Sequence, residues 1–557
     1  RAHRGGRNWS PMHSRTPRSV EPRRNIGGGA SGARTLGVRS TGLLACCLGG
    51  ATLLSASRAR ADEPIKASEP TLMSEPGEVV DVVDAFDDKR DNPFDLHLTV
   101  GIAQRWESSK IRRESAIGLN GSADTSGFTH DIQNIATYSH SSTTLNLRAD
   151  VGLYHDFGLF IRLPVILEDN RSLGDLNGSS GTTNGKGGAV QDTATGLPMF
   201  KVPFTSPSRS GVDYLAAGLR WAILSQQRDP TKPTWTVELE GRFSIGEPMH
   251  ACNANPYALS DTPGALTAAG LKPNATDTYA NCPTPGNTTS DSSYFYRKPA
   301  SQDGGLTPGI SRGTNAVRFG TMVSQRYKYV EPYAGFWFMA EFQKRGTALG
   351  DYQGLNGVIN DHPPLQGGFA VGVMIHPYEH REEFQRLTID LRFSATYVSQ
   401  GRDYSELFDA LGSSPATSLV APNPAKYQLG ADGKSSVGNY SQVVNFTGAT
   451  DVEAHGIFGG SIGFVLQLNR MFRINGGFGM TYVQQHLITA ADACNPNFTP
   501  SNGEQGRCQI IGSDASSSSI TGAPNPNHRP IVDLPGQRFE VAETFIYDLW
   551  ASASVMF

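Results

Sequence analysis

The feature that most constrains this chain is a period-2 alternation of apolar and polar residues, sustained for about ten residues at a time, which is how a strand with one apolar and one polar face reads in sequence. It recurs twelve times between residues 93 and 557. Phe94, Leu96, Leu98, Val100 and Ile102 share one parity in the first segment, with Asp95, His97, Thr99 and Gly101 on the other. The ninth is the cleanest, with Leu387, Ile389, Leu391, Phe393 and Tyr397 set against Thr388, Asp390, Arg392, Ser394 and Thr396. The twelfth closes the chain with Phe539, Val541, Phe545, Tyr547, Leu549, Ala551, Ala553, Val555 and Phe557 on one parity.

The connections between these segments alternate strictly between long and short. The long ones are expected over residues 107–142, 168–212, 247–314, 343–367, 400–452 and 487–538, and the short ones near 156, 229, 330, 381 and 470. A soluble sandwich has no reason to lengthen every second connection, whereas an outer-membrane barrel joins its strands by short periplasmic turns and long extracellular loops. Six long and five short connections give an even strand count and put both strand termini on the periplasmic side. The expected fold is therefore all-β, a closed antiparallel transmembrane barrel of about twelve strands. No helix is expected to span the membrane: mean hydropathy is −0.33, and the run from Thr41 to Ser57 is shorter than the roughly 20 apolar residues a spanning helix needs.

That run has a different meaning. It follows Arg34 and Arg39 and ends in Ala59-Arg60-Ala61, just before Asp62-Glu63-Pro64, the order of basic region, apolar core and small-residue cleavage site found in a secretory signal. A lipobox at Leu43-Leu44-Ala45-Cys46 is the weaker reading, because few apolar residues precede Cys46. Residues 1–61 are expected to be leader and cleaved signal peptide, 62–92 an acidic periplasmic segment too short for a transporter plug domain, and 93–557 the barrel. Without residues 1–61 the chain holds 37 basic and 51 acidic residues, a net charge of −14. It has no basic tract, which disfavours nucleic-acid binding.

The final alternating stretch, ending in Val555, Met556 and Phe557, resembles the C-terminal signature strand of Gram-negative outer-membrane β-barrel proteins. That resemblance implies an outer-membrane location, contact with membrane lipids and recognition of Val555 and Phe557 by the barrel-assembly machinery. It extends over residues 93–557 in pattern only and names no narrower family.

In an oxidising compartment two sequence-local cysteine pairs, Cys252 with Cys282 and Cys494 with Cys508, read as loop-stapling disulfides. Zinc is the competitor, but the chain offers no C-x-x-C there and no neighbouring His pair. No cofactor is implied. His376-Pro377-Tyr378-Glu379-His380 matches the H-x-x-E-H inverzincin pattern, yet that chemistry needs a helix to bring both imidazoles to one face, and Pro377 after a strand points to a polar turn. A phospholipase needs an outward Ser and His. His486, the sole His on an outward parity, has no Ser two residues on. Asp361-His362 resembles the acid and base of omptin-type proteases, a dipeptide that turn chemistry explains equally well. No enzyme is expected.

Taking the polar parity as inward, the lumen should carry Arg148, Asp150, Arg162, Arg220, Glu238, Glu240, Arg242, Asp390, Arg392 and Arg473. The turn positions set Asp150 opposite Arg162 and Arg220 opposite Glu238. Twelve strands lined by long opposed charges should leave a narrow pore, and signs near balance imply weak ion selectivity. Trp221, Trp235, Tyr327, Tyr329, Tyr482 and Tyr547 fall near strand ends, where the membrane interface favours amphipathic rings. Residues Arg402–Gly412 suit a short amphipathic helix that either folds into the barrel mouth or caps the fifth loop. The leading expectation is a passive or weakly selective channel for small solutes. The alternative is a structural or surface-binding barrel with a closed pore, whose loops engage an external partner.

Overall fold

A computed structural model describes residues 96–115, 131–154, 157–176, 190, 199–200, 202–226, 229–251, 308–344, 347–349, 358–414, 417–420, 428–429, 435–436, 446–469, 471–495 and 523–557. Three of the four cysteines expected to form disulfides, Cys252, Cys282 and Cys508, lie outside these residues, as do residues 1–61, expected to be leader and signal peptide, and the segment 62–92.

Twelve antiparallel strands close into one barrel. They are β1 (Leu96–Ser115), β2 (Asp131–Tyr154), β3 (Phe157–Asp175), β4 (Tyr214–Leu224), β5 (Thr234–Ser244), β6 (Thr314–Ser324), β7 (Val330–Gln343), β8 (Gln366–His380), β9 (Gln385–Val398), β10 (His455–Gln467), β11 (Phe472–Val483) and β12 (Phe539–Met556). Each pairs with its neighbour in chain order, and β12 returns to β1, with Leu98 opposite Val555 and Arg105 opposite Asp548. Closure is sealed at the base, where the Phe557 N–H donates to the Leu96 carbonyl at 3.0 Å. A closed barrel leaves no edge strand, the condition for a sheet in hydrocarbon.

The alternation decides which face meets lipid. Leu98, Val100, Ile102, Leu219, Leu239, Phe319, Phe338, Val371, Leu391, Phe464 and Leu549 are exposed, although all are large and apolar. An exposed apolar band around the wall is what a bilayer solvates and water does not. Trp221, Trp235, Tyr327, Tyr329, Tyr482 and Tyr547 are exposed as well, with Tyr327 and Tyr329 in the turn between β6 and β7.

Strands β1, β2, β3 and β12 run to 18–24 residues, about twice the 9–11 needed to cross. The first outward connection is therefore shorter than the pattern implied. Residues 107–115 and 131–142 are strand, but their polar composition outside the bilayer lacks the alternation that would reveal it. A second departure lies in β12, where Glu543 has a positive φ of 52° and the register with β1 slips between Ser108 and Lys110. A bulge inverts the parity beyond it. Phe539 and Val541 consequently point inward and are buried, not outward with Tyr547 and Leu549 as the alternation implied.

Candidate functional site: a charged lumen beneath a loop lid

The inward face carries its charge in cross-strand rows. One row runs Asp150, Phe160, Gly218, Glu240 and Arg318 across β2 to β6, and the adjacent one Arg148, Arg162, Ala216, Arg242 and Ala316. Arg148, and not Asp150, stands opposite Arg162. The expected partner is displaced by two residues, because the β2–β3 register is centred one residue earlier than the expectation placed it. The other expected pair holds, with Arg220 opposite Glu238.

Hydrogen bonds join these side chains into two networks. In the first, Arg148 Nε donates to Asp150 at 2.9 Å, Arg220 donates to Asp150 at 3.1 Å and to Glu238 at 3.0 Å, and Arg318 donates to Glu238 at 3.3 Å. In the second, Arg162 donates to both oxygens of Glu240 at 2.9 Å, and Arg242 Nε donates to the same carboxylate at 2.5 Å. A desolvated charge is tolerated only when paired, and each carboxylate here accepts from at least two guanidiniums.

Aromatic rings support the arginines. The Phe160 ring lies 4.7 Å from Arg148 Cζ and 4.9 Å from Arg220 Cζ, the Tyr214 ring 5.1 Å from Arg242 Cζ, and the Trp337 ring 5.4 Å from Arg318 Cζ. Stacking of this kind is attractive and fixes the guanidinium plane. Phe160 finds space because its cross-strand neighbour is Gly218, where a Cβ would sit 2.3 Å from the ring. Sequence reasoning missed Phe160, Tyr214 and Trp337 as lumen residues because the inward parity was searched for charges. Their signal was an aromatic residue on the polar parity, as in Leu159-Phe160-Ile161.

A cavity of about 540 Å³ occupies the lumen, and Arg148, Arg162, Arg242 and Arg392 line it, joined by Arg105, Arg318 and Asp548. Asp150, Arg220, Glu238, Glu240, Asp390 and Arg473 are inward but stand outside this lining. Asp390 accepts the Tyr333 hydroxyl at 2.9 Å, and Arg473 is fully buried near the base.

Above the lumen, loop segments pack onto the tall outer parts of β1, β2, β3 and β12. Helix α1 (Phe408–Gly412) and helix α2 (Thr417–Val420) come from the fifth long connection, and helix α3 (Pro530–Asp533) from the sixth. Leu407, Ala410, Leu411, Ile531 and Val532 form one buried core with Ile111, Ala136, Tyr138, Leu173, Phe539 and Val541 of the wall. Phe408 packs in a second core with Met249, Ala251 and Ala348. Of the two placements expected for Arg402–Gly412, the segment thus adopts the one inside the mouth, with only Phe408–Gly412 helical. Two buried ion pairs fix it, Arg209 with Asp409 at 2.5 Å and Arg402 with Asp451 at 3.4 Å, joined by a half-buried one, Arg312 with Asp403 at 2.9 Å.

The catalytic patterns resolve otherwise. His376 to His380 end strand β8, where residues four apart are about 13 Å apart. His376 is buried, with Nδ1 2.9 Å from Thr388 Oγ1, while Glu379 pairs with Arg326 at 2.6 Å and His380 is exposed. His486 does not face lipid as its parity implied. It is buried beyond the end of β11 and stacks on His455 at 3.7 Å between centroids. His362 Nδ1 lies 2.9 Å from the neighbouring Pro363 carbonyl. Among the described residues no group of three His, Cys, Asp or Glu side chains is placed to hold a metal.

Closed twelve-strand topology, an exposed apolar wall and a charged interior define the class: a transmembrane β-barrel of the outer-membrane type. No family model and no curated protein matches the chain. Similar solved structures include an outer-membrane channel from Pseudomonas putida F1, 7% identical, covering 83% of this chain and 95% of that one at a TM-score of 0.30. A Pseudomonas aeruginosa FadL homologue is 8% identical over 83% and 90% at 0.26, and the outer-membrane protease OmpT from Escherichia coli 6% identical over 83% and 97% at 0.21. Likeness this distant bears on neither substrate nor mechanism.

Proposed function

We propose that the chain is a passive channel for small solutes across the outer membrane, gated by the loops packed into its mouth. The observation that supports this most is the lumen cavity of about 540 Å³, walled by fixed polar and charged side chains. A barrel serving only as a scaffold can fill its interior with packed side chains, as eight-stranded barrels do. Here Gly101, Gly459 and Gly479 are among the residues lining the cavity, where they add no side chain to fill it. The lid in turn supports gating, because it is assembled from loop segments and not from the hydrogen-bonded wall.

The buried core of the lid also favours a second reading, a closed barrel whose loops meet an external partner. Single-channel recording of refolded protein separates the two. Small, flickering conductance steps that become larger and steadier when residues 402–412 are deleted fit the channel. Silence from both the intact and the deleted protein, with the barrel folded by circular dichroism, would leave the surface-binding reading.

A further inference from the structure

The charged side chains that line the lumen cavity give it a sign. Six arginines from six strands line it, Arg105, Arg148, Arg162, Arg242, Arg318 and Arg392, against one acid, Asp548. A carboxylate side chain is shorter than a guanidinium one, so an arginine on the wall can reach past its acidic partner. The side chains of Asp150 and Glu240 are 3% and 2% exposed, against 14% for Arg162, 19% for Arg242 and 15% for Arg318, while Glu238 at 13% lies between these and the deeper Arg148 and Arg220 at 9% and 5%. Within the two networks five arginines share three carboxylates. A cleft lined by one sign of charge with low-dielectric walls concentrates the opposite ion, and guanidinium forks match the geometry of oxyanions.

We infer that this cavity is a binding site for a small oxyanion, a carboxylate or a phosphate, and that it makes the lumen prefer anions. The inference rests on the channel reading for its selectivity but not for its binding. It departs from the weak selectivity implied by counting strand charges, because a count ignores how far each side chain reaches. Trp337 and Trp550, which also line the cavity, add apolar faces suited to the body of an organic carboxylate.

Two measurements on the refolded full chain test it. Calorimetric titration with sodium benzoate and, separately, sodium phosphate should show saturable, salt-sensitive binding of at least one, and the one that binds identifies the source. Binding should weaken in the double variant Arg242→Gln, Arg392→Gln and also in Arg105→Gln, whose side chain is 51% exposed and so expendable for folding. In a bilayer under a KCl gradient the reversal potential should lie on the chloride side and move toward zero in the same variants. No binding of either anion overturns the inference, as does an open channel that prefers potassium or neither ion. Anion binding without any current would leave the site standing and remove the channel reading.

Discussion

Arg209 and Asp409 form a two-pronged ion pair, Nη2 to Oδ1 at 2.5 Å and Nη1 to Oδ2 at 2.9 Å, between residues 200 positions apart and both buried. Arg209 belongs to a short strand (Arg209–Val212) added to β3, and Asp409 to helix α1. The pair therefore ties the lid to the wall. Asp409→Asn leaves the guanidinium without its counter-charge, a loss of about 3–5 kcal/mol for a buried pair. The expected outcome is a lid that opens while the barrel stays folded: longer open times in bilayers and faster proteolysis within 402–412, at an unchanged barrel melting temperature. Arg209→Met combined with Asp409→Leu should restore closure, since an apolar pair of similar volume can replace a buried ion pair. Equal proteolysis of Asp409→Asn and the parent would contradict the tie.

Acidity should tighten the outer lid. Burial pushes the Asp533 carboxyl up to about 7, although it accepts the Arg529 N–H at 2.7 Å and the Ala491 N–H at 3.3 Å; the nearby Asp451 carboxylate pushes the same way and Arg402 opposes it. An unfolded Asp titrates near 3.9. The folded form holds its proton more strongly, so the stability it contributes is complete below about pH 4 and is lost as pH rises through about 7. Hydrogen exchange over 523–538, corrected for the intrinsic rate, should be slower at pH 5 than at pH 8. Equal protection at both values would contradict it.

The strands were legible because lipid outside and charge inside impose opposite demands on successive residues, and Leu387 to Tyr397 meet them without a break. Legibility failed where that demand stops. Above the bilayer, residues 107–115 and 131–142 remain strand with no apolar face to announce it, and Glu543 inverts the parity of Phe539 and Val541. The lumen charges were found by residue type, but their pairing depended on turn centres to within one residue, enough to place Arg220 against Glu238 and to misplace Asp150. The lid pairs, Arg209 with Asp409 and Arg402 with Asp451, carried no sequence signal, since they join separate loops through tertiary packing alone.

Gly218 should resist substitution. A Cβ there would lie 2.3 Å from the Phe160 ring and 2.7 Å from the Leu239 carbonyl oxygen, and Phe160 supports Arg148 and Arg220. Gly218→Val must displace the ring or the backbone, an overpacking cost of about 1–3 kcal/mol. Its midpoint in denaturant should fall. Gly218→Val with Phe160→Leu should recover part of the loss, because the smaller side chain frees the space; a double variant less stable than the single would argue that the backbone contact dominates.

Arg220 and Glu238 offer a direct measure of how the inward charges hold the wall. They are cross-strand neighbours on β4 and β5, bonded at 3.0 Å, with side chains 5% and 13% exposed. Each also bonds a second partner, Arg220 to Asp150 and Glu238 to Arg318. Truncating either one leaves a desolvated partner, so Arg220→Met and Glu238→Gln should each destabilise the barrel by several kcal/mol, on the order of the 3–5 expected for a broken buried pair. Exchange of the two, Arg220→Glu with Glu238→Arg, preserves the pair but sets a second carboxylate beside Asp150 and a second guanidinium beside Arg318. If the pair acted alone, the exchange would restore full stability. Because the network extends beyond it, the exchanged barrel should stay clearly less stable than the parent, and Asp150→Asn added to the exchange should recover part of the difference by removing the repulsion between the two carboxylates. A double-mutant cycle over denaturant midpoints reads these terms directly. Strict additivity of Arg220→Met and Glu238→Gln would mean that the two side chains are adjacent without being coupled.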